Sequence, residues 1–123
     1  MFMRDEGLYL DDILEAGELV QKFTAGVSEE EFLDSELLQS AVLQKLTVIG
    51  EASARISAET KLRYPHIKWK SITGFRNIAV HVYYELDWGI VWKTATTQIS
   101  GLSAEVSKII ETDFPMPDDT DFV

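Results

Sequence analysis

Apolar residues in this chain recur at the three- and four-residue spacing of a helix and never alternate like a strand, a pattern that limits the fold more than any other feature. Leu10, Ile13, Leu14, Gly17, Val20 and Phe23 trace a first buried stripe. A second runs through Leu38, Ala41, Val42, Lys45, Ile49, Ala52 and Ile56, marking a long helix over 32–56 with a break at Asp34 and Ser35. A third helix is expected to begin near Trp69 and run to about Val82, after a short helical turn at 58–62 and the interruption at Tyr64-Pro65. In the last helix Trp88, Val91, Trp92, Ala95, Ile99, Leu102, Val106 and Ile110 keep helical spacing. The expected fold is all-α: an up-and-down bundle of four main helices plus a short helix.

The punctuation between stripes agrees with this reading. Gly26 is placed to take the left-handed conformation that ends a helix. Ser28 and Glu31 have the spacing of a capping box, and Asp87 caps the last helix. Ala41, Gly50 and Ala52 are small enough to let a neighbouring element approach closely. The helical domain is read as residues 1–112, followed by a loose acidic tail over 113–123 that contains Pro115 and Pro117.

A chain of 123 residues suits one hydrophobic core, and its composition is that of an ordinary globular domain. It has no cysteine, which excludes disulfides and thiolate metal sites. The N-terminus turns acidic at Asp5, and no apolar run approaches the roughly 20 residues of a membrane span. A soluble, cytoplasmic protein is expected, with no membrane association. The three tryptophans, Trp69, Trp88 and Trp92, are read as core anchors rather than as a base-stacking platform.

Net charge is −10, yet Lys61, Arg63, Lys68, Lys70 and Arg76 fall in a stretch from Lys61 to Tyr84 that lacks any Asp or Glu. That block carries +5, leaving −15 elsewhere. Local contacts decide phosphate affinity, so one cationic patch on an acidic body is able to hold a polyanion. The same block also fits a basic helix end that meets acidic neighbours within the fold. Charge alone does not separate the two.

Within the block, "RNIAVHVYYELDW" places Arg76, Asn77, His81 and Tyr83 in an otherwise apolar segment. Histidine exchanges protons near neutral pH, and arginine offers a permanent charge in a fork that matches phosphate. Together they suit RNA cleavage without a metal: His81 as acid or base, Arg76 on the phosphate, and Asn77 positioning phosphate or ribose. Lys68 and Lys70 are candidate contacts for RNA phosphates. Nothing in the spacing of acids and histidines resembles a Mg²⁺ or Zn²⁺ site, and no cofactor is expected. On a regular α-helix Arg76 and His81 stand about 140° apart and Arg76 and Tyr83 only about 20°. Convergence of Arg76 and His81 then requires a kink, long reach, or a second copy across a two-fold axis, so a homodimer is expected. On spacing alone, a purely structural role is the better reading of Arg76 and His81.

The stretch "YPHIKWKSITGFRNIAVHVYYELDWGIVW" resembles the HepT-like (DUF86) branch of the HEPN superfamily, whose signature is Arg-x-x-x-x-His-x-Tyr. Arg76, His81 and Tyr83 fill it in register, and the upstream segments "DEGLYLDDILEAGELVQKF" and "FLDSELLQSAVLQKLTVIGEASARIS" are similar too. Val82 stands where the family often has a small or polar residue, and a second tyrosine, Tyr84, follows. The resemblance implies an all-α homodimer with a metal-independent endoribonuclease site at the dimer cleft, lined by Arg76 and His81. It also implies a toxin–antitoxin pair, in which a minimal nucleotidyltransferase (MNT-domain) antitoxin transfers AMP to the motif tyrosine, Tyr83. The alternative within the same family is a non-catalytic HEPN module that binds and regulates the nucleotidyltransferase.

Overall fold

A computed structural model of the chain describes residues 5–78 and 87–115. Among these residues there are seven α-helices and no strand: α1 (Glu6–Thr24), α2 (Glu29–Leu33), α3 (Glu36–Ala54), α4 (Ala58–Arg63), α5 (Trp69–Thr73), α6 (Trp88–Thr97) and α7 (Ile99–Asp113). A 3₁₀ turn, Gly74–Asn77, continues from α5. The all-α expectation holds.

Local chemistry sets the boundaries. The Asp5 carboxylate accepts from the Gly7 N–H at 2.8 Å and starts α1. The helix stops at extended Ala25, and the chain turns through Gly26 at φ 72°, a region that an L side chain rarely enters. Ser28 caps α2 by accepting from the Glu31 N–H at 3.1 Å. Glu31 reaches back as a capping box requires, but to the Ser28 hydroxyl at 3.2 Å. Ser35 then caps α3 through the Leu38 N–H, so the break falls at Asp34 and Ser35 as expected.

The core forms where α1 packs against α3 and α7. Leu10, Ile13 and Val20 of α1, Val42, Leu46 and Ile49 of α3, and Val106 and Ile109 of α7 are completely buried. Gly17 allows the approach of α7, since a Cβ there would stand 2.3 Å from the Ser103 hydroxyl oxygen. The Gln21 amide donates to that same oxygen at 3.3 Å. Tryptophans anchor this core from two sides. Trp88 and Trp92 pack on buried Phe32, with ring centroids 6.2 and 5.2 Å away, while the buried Trp69 indole donates to the Tyr64 carbonyl at 3.0 Å.

Two expectations are corrected. The last stripe is not one helix: Gln98, at φ −107° and ψ −30°, separates α6 from α7. Thr94, Thr96 and Thr97 donate their hydroxyls to the carbonyls of Ile90, Trp92 and Lys93 at 2.9, 2.8 and 2.6 Å. Such back-bonding often bends helices, and these three bonds fall in α6 just before the break at Gln98. The helix expected over 69–82 is likewise not regular. It is α-helical only to Thr73 and then tightens to 3₁₀ through Asn77. Ile72, Thr73 and Gly74 are weak helix formers, and contact with α3 decides their conformation instead.

A polar cluster ties the two ends of the bundle to α4. Glu6 accepts from the Ser57 N–H and from the Thr60 hydroxyl, the latter at 2.9 Å. Arg63 donates to Asp113 at 3.0 Å, and the Tyr64 hydroxyl donates to the same carboxylate oxygen at 3.0 Å. Burial pushes the Glu6 carboxyl up, but hydrogen bonds from Ser57 and Thr60 and the nearby Arg63 charge outweigh it and hold the group below its ordinary 4.5. A carboxyl depressed on folding stabilises fully above its unfolded value, and that stabilisation fades as pH falls through the lower folded value. Urea unfolding midpoints should therefore drop as pH is lowered below about 4.5. Glu6→Gln should be less stable at pH 7 and show a flatter acid limb. Parallel limbs for the two proteins would remove Glu6 from this role.

Candidate active site

The site begins with a glycine on α3. Gly50 is buried, and a Cβ placed on it would lie 2.3 Å from the backbone nitrogen of Arg76 and 3.1 Å from its Cα. Helix α3 therefore meets the 3₁₀ turn with no side chain between them. Nearby on α3, completely buried Ser53 shares a hydrogen bond with the Thr73 hydroxyl at 3.1 Å. On the other side of the turn Ile72 and Phe75 enter the core. A 3₁₀ segment has three residues per turn, so with Phe75 facing inward the next two residues face out. Arg76 and Asn77 are both exposed.

The packing clarifies part of the charge pattern. Arg63 is bridged to Asp113 at 3.0 Å and to Glu59 at 3.4 Å. His66 lies 2.9 Å from Glu105, and its hydrogen bond, helped by Lys108, holds that carboxyl below the ordinary range despite some desolvation. Arg63 and His66 of the block thus meet acidic neighbours of the same fold. Lys68, Lys70 and Arg76 do not: all three are exposed, and no salt bridge joins any of them to a carboxylate among the described residues. Lys68 and Lys70 flank the inward-facing Trp69 at the start of α5. Exposed Arg76 and Asn77 end the 3₁₀ turn of the same segment.

His81 and Tyr83, with Val82 and Tyr84, lie outside the described residues. The angular separation expected between Arg76 and His81 presumed an α-helix from Trp69 onward, and the 3₁₀ turn removes that premise at Arg76 itself. Sequence spacing marks Gly50 as a small residue but gives no sign that its neighbour is Arg76. It gives no signal at all for Ser53 and Thr73, whose pairing joins two helices 20 residues apart in the chain. Among the described residues no group of His, Asp or Glu is placed to hold a metal ion, and no helix is long and apolar enough to cross a membrane.

The described residues form an all-α bundle consistent with the HEPN-like class, and Arg76 is exposed on it. Within that class the chain belongs to the ribonuclease HepT-like family, whose model matches residues 13–109. It is 37% identical over 101 residues to the "Probable ribonuclease HepT" of Thermococcus cleftensis, covering 82% of this chain and 92% of that protein. It is 34% identical over 106 residues to the "Putative RNase MJ1380" of Methanocaldococcus jannaschii, covering 86% of this chain and 97% of that one. A further relative from the same organism, "Gamma-glutamylcyclotransferase and putative RNase MJ0434", is 35% identical over 108 residues. That alignment covers 88% of this chain but spans only 49% of the relative's length. No solved structure matches the chain.

Proposed function

We propose that the protein is a metal-independent endoribonuclease of a HEPN–MNT toxin–antitoxin pair. The observation that carries this reading is an exposed Arg76 that no described carboxylate pairs with. Its backbone is pinned against Gly50, and its guanidinium is left outside the ion pairs that occupy Arg63 and His66. A fixed backbone bearing an exposed guanidinium suits a phosphate clamp. The family match and the names of the relatives support RNA as the polyanion.

In the proposed reaction, a ribose 2′-hydroxyl attacks the adjacent phosphorus, and the bond to the 5′-oxygen breaks. His81 takes the hydroxyl proton or delivers one to the departing oxygen, Arg76 holds the anionic phosphate oxygens, and Asn77 positions the phosphate or ribose. Lys68 and Lys70 hold flanking phosphates. A two-fold homodimer brings two Arg–His pairs to one cleft, one histidine accepting while the other donates. The partner nucleotidyltransferase silences the site when the Tyr83 phenol oxygen attacks the α-phosphorus of ATP and pyrophosphate leaves. The attached phosphate then occupies Arg76 and repels RNA.

Three measurements test this reading. RNA cut in EDTA should carry 2′,3′-cyclic phosphate or 3′-phosphate ends; ends bearing a 3′-hydroxyl would contradict the mechanism. Light scattering at micromolar concentration should report a dimer, and a monomer would remove the composite cleft. Co-expression with an MNT-type nucleotidyltransferase should add AMP at Tyr83 and abolish cleavage. Unmodified, fully active protein beside an active transferase would count against the pairing.

A further inference from the structure

The break between α6 and α7 does more than bend a helix. It opens one side of a groove of about 590 Å³, whose other side is the segment leading to Arg76. Buried Ile72, Phe75, Ile99 and Leu102 line its apolar part. Its polar part is supplied by Lys68, Gln98 and the His66–Glu105 pair. Phe75 directly precedes Arg76, so groove and guanidinium share one turn of backbone.

We infer that this groove receives a nucleobase of the RNA strand whose phosphate is held at Arg76. The inference rests on the ribonuclease reading above and adds a specificity subsite to it. Charge favours a nucleic-acid occupant. In a chain of net charge −10, the exposed Lys68 at this groove and Arg76 beside it are cations that no described carboxylate neutralises. Shape and chemistry favour a base rather than phosphate alone. Aliphatic and aromatic side chains suit the faces of a ring, and polar groups meet its edge. Gln98 makes no capping hydrogen bond with its side chain although it occupies the cap position of α7, so its amide is available to a base edge. Glu105 is an acceptor already oriented by His66 at 2.9 Å, which favours bases that present an amino donor.

Gly101 provides a clean test, because it lines the groove and a Cβ there meets nothing within 4 Å. Gly101→Trp plugs the groove from an open position, and Gly101→Ala controls for the backbone. The probes are the four nucleoside 3′-monophosphates and inorganic phosphate, titrated against the full chain with methyl groups of isoleucine and leucine observed by NMR. Nucleotides should shift Ile72, Ile99 and Leu102, with those bearing an amino group binding more tightly, while phosphate leaves these methyls in place. Gly101→Trp should weaken nucleotide binding about tenfold or more, a scale set by loss of one base contact. Gly101→Ala should bind like the parent, and Gln98→Ala should narrow the differences among bases. The inference is overturned if nucleotides leave the groove methyls unmoved, or if the plugged variant binds as the parent does. It is also overturned if those methyls shift with protein concentration alone, which would seat a second copy in the groove. RNA cleavage retained alongside any of these results leaves the ribonuclease reading intact. Nucleotide binding in the groove without cleavage of any RNA removes that reading instead.

Discussion

Gly50→Ala is expected to be among the most damaging single-methyl changes in this protein. The added carbon would meet the Arg76 backbone nitrogen at 2.3 Å, and backbone cannot rotate aside as a side-chain tip does. Either α3 or the 3₁₀ turn must move by the order of an ångström. Overpacking of this kind costs about 1–3 kcal/mol, set against a gain of about 1 kcal/mol from replacing glycine in a helix. The net should lower the melting temperature by several degrees. If Arg76 holds the reacting phosphate as proposed, activity should fall further than stability, because a displacement of about 1 Å at such a group is able to cost 100-fold in rate. Gly17→Ala is the contrast, since the clash of its new methyl is with the Ser103 hydroxyl, a side-chain tip that can turn away, while Ile99 at 3.4 Å is in ordinary contact. It should lose the Gln21 contact and a little stability but keep its activity. Equal loss of activity in the two variants would show that the Gly50 contact has no special bearing on the site.

Arg76→Ala should behave in the opposite way. The side chain is exposed and forms no ion pair with any described residue, so melting should change by about 0.5 kcal/mol or less. Cleavage should fall about 100- to 1,000-fold, the scale for removing one preorganised donor to developing charge. Arg76→Lys should recover part of this, because a point charge replaces the fork without its paired geometry. A marked loss of stability with cleavage intact would make Arg76 a structural residue.

The elements whose boundaries rest on neighbouring residues were legible in the sequence. Gly26, Ser28, Ser35 and Asp87 act locally, and each ends or starts a helix where its chemistry indicates. The conformation around the site was not legible, because it is set across the bundle. Nothing in "SITGFRN" distinguishes an α-helix from a 3₁₀ turn until Gly50 and Ser53 of α3 are placed against it. The split at Gln98 follows three back-bonded threonines, but apolar periodicity runs through it unbroken and conceals it. For the charges, sequence marked the basic block but could not divide it. Only the fold shows that Asp113 and Glu105, 50 and 39 residues away, claim Arg63 and His66 and leave Arg76 free of described carboxylates.

The central claim is that Arg76 and His81 cut RNA without a metal. It is tested most directly by the single-turnover rate of cleavage of a labelled RNA in excess EDTA, measured for the parent and for His81→Ala. The parent should cleave at a rate unaffected by EDTA, and the variant should be slower by about 100- to 10,000-fold, the usual contribution of a positioned acid or base, while circular dichroism shows it folded. Cleavage that stops in EDTA, or that survives in folded His81→Ala, would contradict it.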